Sequence, residues 1–357
     1  MKKRIYQIDL LRFIAALSVL LYHYLFSGPS ANYITDINFE EIDEYFKYGY
    51  LGVDVFFIIS GFVISLSIKK RSITSFLQSR FIRLYPAYWF CVTCTFLVMV
   101  LAGSSLQHQV TIKEYLANLT MFQYFINIEN IDEVYWTLLV EIKFYILIAF
   151  YLVLLKFRKF NITVFAYLWL TASFANIFLE EFYFFKIANF FLIFKWSSYF
   201  IAGIFFHELY KSDKKNKFIL PLILCLVLSV YYRITSITSL ETLYNTSFSP
   251  YIISVIISVF FIIMYLISRE KLNSINSPKL LKFGVLTYPL YLIHQNIGFI
   301  LFNQLDEYVN KYLLFFLISS LMLLLAFYIN KLIEIPVSKF LKSHTDKLIV
   351  LLPSKKK

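Results

Sequence analysis

The sequence is short of charge. Only 16% of its 357 residues are Asp, Glu, Lys or Arg, whereas an ordinary soluble domain carries about 25%. Apolar residues make up 59% of the chain, and the mean hydropathy is +0.68. So little charge beside so much apolar surface excludes a water-soluble globule and also excludes a disordered chain.

Cysteine, glycine and proline are scarce as well. Three Cys cannot build a disulfide framework, and eight Gly with eight Pro exclude a collagen-like or glycine-rich fibre. The sequence has no Walker motif, no dinucleotide-binding fingerprint and no metal-ligand spacing, so no metal cofactor is expected. The class that remains is a polytopic membrane protein.

Long apolar runs are what the sequence has in abundance. A helix rises about 1.5 Å per residue, so about 20 apolar residues cross the ~30 Å hydrocarbon core. Each such run is predicted to be a helix, because a lone strand in lipid would leave its backbone unpaired. The predicted spans are 8–26, 48–68, 82–102, 136–155, 162–179, 188–206, 218–235, 250–268, 284–302 and 312–331. We therefore predict an all-α polytopic membrane protein of about ten transmembrane helices, with one domain over 1–345 and a short basic tail over 346–357.

The net charge of +12 follows the predicted topology. Most Lys and Arg residues precede span one or follow spans two, four, six, eight and ten, while the opposite side holds the acidic stretch 36–44. This alternation predicts that both termini are cytoplasmic, and it explains the charge without a nucleic-acid partner. The least regular segment is 180–210, where one span is predicted with Lys195 snorkelling outward.

Several ionisable side chains fall inside or close to the predicted spans, where a charge costs about 2.5–3.5 kcal/mol on insertion scales. They are Arg12, His23, Asp54, Glu141, Lys143 and His294. The predicted span directions put His23, Asp54 and Glu141 at comparable depth below the outer surface. A His with a carboxylate to orient it is an acid/base pair. The alternative is that the charged residues form structural ion pairs between helices.

A second group of residues lies at the cytoplasmic end of span three. Arg80 and Arg83 are three residues apart, hence neighbours on a helix face, and two guanidinium groups can grip a phosphate. The alternative is ordinary cytoplasmic charge, which is our interpretation of the run 69–71. Pro86 is predicted to start or kink the helix.

Ser60 and Gly61 form a small-residue pair on span two. Small side chains let a second helix or a ligand approach the backbone closely. The pattern alone does not separate these two uses.

Six short motifs occur in order and resemble the signatures of the acyltransferase 3 family of integral membrane acyltransferases. They are Ile8-Asp9-Leu-Leu-Arg12-Phe with His23 following, Gly52-Val-Asp54-Val-Phe56-Phe57-Ile-Ile-Ser60-Gly61-Phe62, Arg80-Phe-Ile-Arg83-Leu-Tyr-Pro86, Tyr135-Trp136-Thr137-Leu138-Leu-Val-Glu141, Leu286-Thr-Tyr288-Pro-Leu-Tyr291-Leu-Ile-His294 and Glu334-Ile-Pro336. Thr137 replaces the family's usual Ser. The stretch 150–280 carries no such motif.

The resemblance implies a bacterial inner-membrane enzyme. Such an enzyme moves an acyl group, usually acetyl, from cytoplasmic acyl-CoA to a hydroxyl of an envelope carbohydrate such as O-antigen or another surface polysaccharide. The residues then expected in catalysis are His23, Glu141 and Asp54. Those expected to bind acyl-CoA are Arg80, Arg83 and Arg12. Those expected at the substrate are Ser60, Trp136, Tyr288 and His294.

The chemistry implied for these residues leaves alternatives open. His23 is either the general base on the acceptor hydroxyl, with Asp54 or Glu141 orienting it, or the carrier of a covalent acyl group. Ser60 or Tyr288 is a candidate hydrogen-bond donor to the thioester oxyanion. A rival function is a transporter or flippase, and less favoured ones are a polysaccharide polymerase and a scaffold or receptor. The acceptor, the acyl group and the oligomeric state stay open.

Overall fold

The computed structural model describes residues 4–68, 72–102, 106, 109–157, 161–212 and 215–351. The basic run 69–71 and the tail residues 352–357 therefore lie outside the described part. Fifteen α-helices of seven or more residues occur within it. In chain order they are α1 (Tyr6–Tyr22), α2 (Gly52–Ser67), α3 (Ile73–Ala102), α4 (Ile112–Asn118), α5 (Trp136–Phe157), α6 (Ile162–Leu179), α7 (Tyr183–Leu192), α8 (Phe194–Lys211), α9 (Ile219–Thr235), α10 (Ile237–Tyr244), α11 (Pro250–Ser268), α12 (Thr287–Ile293), α13 (Gln295–Leu305), α14 (Lys311–Ile329) and α15 (Ile335–Leu351).

The all-α polytopic class is confirmed. Among the described residues, eight helical segments are long and apolar enough to cross a membrane, and two bent helix pairs raise the number to ten if each pair is one span. The eight are Tyr6–Ser30, Asp43–Ser67, Ile73–Ala102, Glu133–Leu155, Ile162–Leu179, Asn216–Tyr244, Pro250–Ser268 and Lys311–Thr345. The direction of the spans, and with it the cytoplasmic position of the termini, stays a prediction.

The predicted span 188–206 is not one straight helix. α7 and α8 meet at 47° around Ile193, which has a left-handed backbone (φ 45°). The break exposes backbone groups that local partners satisfy. The indole of Trp169 donates to the Leu192 carbonyl at 2.9 Å, and the Asn189 side chain accepts from the Phe194 N–H at 3.1 Å. Lys195, expected to snorkel, is exposed on the first turn of α8.

The predicted span 284–302 is also broken. α12 belongs to a helical stretch that meets α13 at 67°, and His294 is the residue at the break. Its Nδ1 lies 3.1 Å from the Leu290 carbonyl oxygen and 2.9 Å from that of Tyr291, so the ring closes back onto the preceding turn. Hydropathy averages over such a bend, and it therefore predicted both halves as one helix.

The third span begins earlier than predicted. α3 starts at Ile73, not near 82, and Pro86 lies inside it. Proline has no N–H, so the carbonyl of Ile82, four residues before it, loses its helical partner. The Ser338 hydroxyl of α15 donates to that carbonyl at 3.1 Å. A distant side chain thus lets the helix pass through Pro86.

The chain forms two compact units, each built from two stretches of sequence. The first consists of Met1–Arg71 and Trp136–Gly284, and the second of Ser72–Tyr135 and Val285–Lys357. The prediction of one domain over 1–345 is not decided by this division. The predicted tail from 346 begins within α15, whose helix runs to Leu351.

In the first unit α2 and α8 approach to backbone contact. A Cβ atom added to Gly61 would lie 2.1 Å from the carbonyl oxygen of Phe200, and one added to Gly203 would lie 2.1 Å from that of Ile58. Any side chain at either position would force the helices apart. Gly61 therefore serves helix packing, one of the two uses that the sequence left open.

We expect the bond between Ser338 and Ile82 to be coupled to Pro86. Ser338→Ala should cost about 1 kcal/mol, because it leaves the Ile82 carbonyl without a donor. The same change in a Pro86→Ala background should cost almost nothing, since the alanine introduced there supplies the missing N–H. Thermal unfolding of the detergent-solubilised wild type, the two single variants and the double variant completes this double-mutant cycle.

Ser343→Ala is the matched control, because Ser343 is an exposed α15 serine that donates to its own preceding turn through the Phe340 carbonyl. Equal costs of Ser338→Ala in the two backgrounds would contradict the explanation.

Candidate functional site

His23 is the first residue of an irregular helical turn. α1 ends at Tyr22, and His23–Ser27 form a π-helical turn in which the Gly28 N–H donates to the His23 carbonyl. The extra residue of a π turn changes which face the following side chains occupy, and such turns are frequent at functional sites. The His23 side chain is half-buried.

Tyr244, the last residue of α10, holds both ends of this turn. Its hydroxyl shares a hydrogen bond of 2.7 Å with the Tyr22 hydroxyl and one of 3.1 Å with the Ser27 hydroxyl. The rings of Tyr22 and Tyr244 also meet edge to face at 6.3 Å. The segment that carries His23 is thus positioned by a residue from the stretch without motifs.

Asp54 forms a buried ion pair with Arg233 of α9. Arg233 Nε donates to Asp54 Oδ2 at 2.9 Å, and the guanidinium Nη2 donates to Oδ1. The Asp54 side chain is fully buried and that of Arg233 is 9% exposed. A bidentate ion pair of this kind satisfies both charged groups at a position that water does not reach. Both carboxylate oxygens of Asp54 are therefore engaged.

Aromatic rings surround the Arg233 guanidinium. Its central carbon lies 4.4 Å from the ring centroid of Trp196 and 5.4 Å from that of Tyr50. Trp196 in turn lies against Trp136, with ring centroids 5.1 Å apart. Trp136, predicted at the substrate, is 37% exposed and takes part in this aromatic layer.

Glu141 of α5 is held by two hydroxyl groups. Ser60 of α2 donates to its Oε1 at 3.0 Å, and Tyr145, one turn further along α5, donates to the same oxygen at 2.5 Å. Within the described residues Oε2 accepts no hydrogen bond. The structure thus brings two predicted site residues together, and the half-buried carboxylate keeps one oxygen for another donor.

In the second unit Arg83 pairs with Glu334. Arg83 Nη1 donates to Glu334 Oε1 at 2.6 Å, and Asn330 Nδ2 donates to Oε2 at 2.9 Å. Glu334 closes a second π-helical turn, Asn330–Glu334. The guanidinium also lies over the Tyr288 ring at 5.4 Å. One side of the Arg83 guanidinium is therefore already bound within the protein, by Glu334.

The remaining predicted site residues are placed as follows. The Tyr288 hydroxyl donates to the Leu84 carbonyl at 3.0 Å. The Ser60 hydroxyl donates to Glu141. Both candidate donors to the oxyanion therefore already have an acceptor within the protein. Arg80 is half-buried, and its guanidinium lies 5.8 Å from the Phe76 ring centroid. Arg12 is half-buried on α1. The predicted catalytic, acyl-CoA-binding and substrate-binding roles stay predictions.

Asp132 orders the break at His294. It is fully buried, and it accepts from the Asn296 N–H at 3.1 Å and from the Val134 N–H at 3.2 Å. It therefore satisfies the start of α13. Burial raises the pKa of Asp132 to about 7, although the two backbone N–H groups act to lower it.

Sequence reasoning missed Arg233, Tyr244, Tyr145 and Asp132. Arg233 had a usable signal, because a buried Asp54 requires a cation and Arg233 is the one Arg within the apolar run 218–235. The tyrosines had none, since the chain contains 28 Tyr and their spacing reveals no partner. Among the described residues no group of three or more His, Cys, Asp or Glu could hold a metal ion.

Its many long apolar helices make the chain a multi-pass membrane protein, and the motif residues His23 and Glu141 lie on a distorted turn and beside two hydroxyl donors. The chain belongs to the acyltransferase 3 family, since the family model, described as an acyltransferase domain, matches residues 5–331. It is therefore a membrane-bound acyltransferase. The matched range includes residues of both units and all six motifs except the closing Glu334-Ile-Pro336.

One curated relative shares part of the sequence. The exopolysaccharide production protein ExoZ of Rhizobium meliloti (strain 1021) is 37% identical over 82 residues, which is 22% of this chain and 26% of that protein. The chain thus aligns with about a quarter of that relative's length. No solved structure matches the chain significantly.

We expect the Asp54–Arg233 pair to be needed as a pair for folding. Arg233→Met should cost about 3–5 kcal/mol, because it leaves the Asp54 charge buried without a partner. The double variant Asp54→Leu/Arg233→Met should recover most of that loss, since it buries no charge. Thermal unfolding in detergent measures both. Wild-type stability of Arg233→Met would contradict this, and the activity of the folded double variant separates a structural Asp54 from a catalytic one.

We expect Asp132 to make stability depend on pH. The folded protein holds its proton more tightly than the unfolded chain, where the pKa is near 3.8. Its contribution to the free energy of unfolding should therefore fall as pH rises from about 4 to about 7, and then level off. Asp132→Asn should lose a constant amount for the missing acceptor and show no such slope.

The measurement is the unfolding temperature of both proteins between pH 5 and 8. Glu307→Gln, at an exposed position of the same unit, is the control. Parallel pH curves for wild type and Asp132→Asn would contradict the titration of Asp132.

Proposed function

We propose that this acyltransferase moves an acyl group, acetyl being the expected one, from cytoplasmic acyl-CoA to a hydroxyl of an extracytoplasmic envelope carbohydrate. The family match over residues 5–331 is the observation that supports acyl transfer as the reaction. The similarity to a protein of exopolysaccharide production supports a carbohydrate acceptor. A surface polysaccharide, O-antigen included, is the class of acceptor proposed, and the bacterial inner membrane is the proposed location.

The proposed reaction uses His23 as general base. It removes the proton from the acceptor hydroxyl, whose oxygen attacks the thioester carbonyl; the C–S bond then breaks and the CoA sulfur leaves with a proton. The products are the carbohydrate ester and free CoA. A positioned base of this kind contributes about 10²–10⁴ in rate. The alternative, in which His23 carries the acyl group before the acceptor arrives, uses the same residues in two steps.

Glu141 is the better candidate for orienting His23. Both oxygens of Asp54 accept from Arg233, whereas Glu141 Oε2 accepts no hydrogen bond within the described residues. A carboxylate with a free oxygen can take an imidazole N–H, fix the tautomer and stabilise the imidazolium. We assign Asp54 to holding α2 against α9 through Arg233.

The acyl-CoA end is proposed at Arg80 and Arg83. The distribution of Lys and Arg along the sequence supports a cytoplasmic position for both. Arg83 already gives one N–H to Glu334, which fixes the direction of its guanidinium and leaves further donors for a phosphate. Arg12 is proposed to bind acyl-CoA as well, which rests on its position near the start of the first predicted span.

A transport function has one observation in its favour. Broken helices such as those at Ile193 and His294 frequently build substrate sites in transporters. The family membership favours acyl transfer. A transporter would move an intact solute without consuming acyl-CoA, so an assay of acyl transfer from acyl-CoA distinguishes the two functions.

The decisive test is transfer of label from radiolabelled acetyl-CoA by the purified protein in vesicles, with an envelope extract as acceptor. Wild type should label a saccharide, and His23→Ala should reduce that label at least about 100-fold while leaving expression and folding intact. Label that survives in His23→Ala would remove His23 as the base. No label and no acetyl-CoA binding by folded wild type would overturn the proposed function.

The acyl-CoA end is tested in the same assay. Arg80→Ala should raise the KM for acetyl-CoA and leave the KM for the acceptor unchanged. Arg83→Ala alone would leave the Glu334 charge without its cationic partner, so Arg83→Ala/Glu334→Gln is the cleaner variant. Equal changes in both KM values would indicate misfolding or general loss of positive charge.

A further inference from the structure

The Tyr50 hydroxyl is a buried polar group that has no hydrogen-bond partner among the residues that the structure describes. The residue is 9% exposed, and within the described residues its hydroxyl makes no hydrogen bond. Buried tyrosine hydroxyls nearly always find a partner, because burying one without a hydrogen bond costs free energy. An exception beside a candidate active site requires an explanation.

Tyr50 adjoins the residues of the candidate site. It lies in the 3-10 turn Gly49–Leu51 that leads directly into α2, four residues before Asp54. Its ring lies 5.4 Å from the Arg233 guanidinium and 5.6 Å from the ring of Tyr22, the neighbour of His23. The unsatisfied hydroxyl therefore belongs to the environment of the proposed base.

The surroundings indicate what the hydroxyl can bind. Asp54 neutralises Arg233, so the pair offers no net charge to an anionic ligand. The neighbouring rings of Tyr22 and Phe248 are apolar surfaces, with the Phe248 ring 6.2 Å from that of Tyr50. The groups that the structure places around Tyr50 are thus aromatic rings and an ion pair without net charge, which suits a neutral partner that brings a matching hydrogen-bonding group.

We propose that Tyr50 is a specificity residue whose hydroxyl hydrogen-bonds a hydroxyl of the neutral acceptor sugar. This inference rests on the proposed function and names a contact of the same site. Because the contact fills a vacant hydrogen bond, a sugar that lacks the matching hydroxyl would leave Tyr50 unsatisfied and be disfavoured.

The test compares Tyr50→Phe with Tyr48→Phe. Tyr48 is equally buried two residues away, but its hydroxyl accepts from the Ser249 N–H at 2.9 Å. Tyr48→Phe should lower the unfolding temperature by about 2 °C and leave acceptor use unchanged. Tyr50→Phe should leave that temperature unchanged or higher, because it removes an unsatisfied group, and should lower kcat/KM for the envelope acceptor about tenfold. Acetyl-CoA binding should match wild type in both variants.

A second measurement identifies the partner hydroxyl. The probes are methyl β-D-glucopyranoside, methyl β-D-galactopyranoside and the monodeoxy derivatives of each. On the deoxy derivative that lacks the partner hydroxyl, wild type and Tyr50→Phe should have equal kcat/KM. On the parent glycoside, the kcat/KM of wild type should be about tenfold higher than that of Tyr50→Phe.

Each other outcome is decisive. Wild-type acceptor use by Tyr50→Phe would overturn the inference and leave an ordered water as the partner of the hydroxyl. An equal loss on every glycoside, or a lower unfolding temperature, would show a structural role and overturn it too. Failure of folded wild type both to bind acetyl-CoA and to transfer label to any glycoside or to the envelope extract would instead overturn the proposed function.

Discussion

The ion pair between Asp54 and Arg233 is the interaction on which the first unit depends. An isolated charge among apolar helices is so costly that the fold must bring its partner from wherever the chain holds one. Here the partner lies 179 residues away, so α2 is fixed against α9 and the rings of Trp196 and Tyr50 are fixed around the guanidinium. Once α2 is fixed, the contact between Gly61 and the Phe200 backbone is possible, and so is the bond from Ser60 to Glu141.

Irregular backbone coincides with the residues of chemical interest. His23 opens a π turn, Glu334 closes another, and His294 stands at a break of 67°. A regular helix in an apolar medium satisfies its own backbone and offers nothing to a ligand. A distorted turn releases or redirects groups, and each such turn here has a partner that stabilises it, as Tyr244 does at His23 and Asp132 does at the start of α13. The distortions are therefore stable features of each unit.

The sequence allowed the helical class and the number of spans to be predicted, because both follow from hydrophobic length. It did not allow the bends at Ile193 and His294 to be predicted, because hydropathy does not register a change of direction. The early start of α3 was hidden for a related reason, since the residue that satisfies Ile82 lies on α15. Ser60 and Glu141 were identified as separate motif residues, and only the fold showed that they bind each other. Tyr145 and Tyr244 were inaccessible to sequence reasoning, because one Tyr among 28 has no distinguishing pattern.

The stretch without motifs contributes more than connections between spans. It supplies Arg233 to Asp54, Tyr244 to the turn of His23, and Gly203 to the contact of α2 with α8. Motif residues can carry the chemistry of acyl transfer only if such partners hold them in place, so changes in this stretch would alter the site without touching a motif. A residue that binds the acceptor, in contrast, is not required to stabilise the fold. An unsatisfied hydroxyl such as that of Tyr50 has the expected energetic signature, because it costs stability in the free enzyme and gains its hydrogen bond only when substrate arrives.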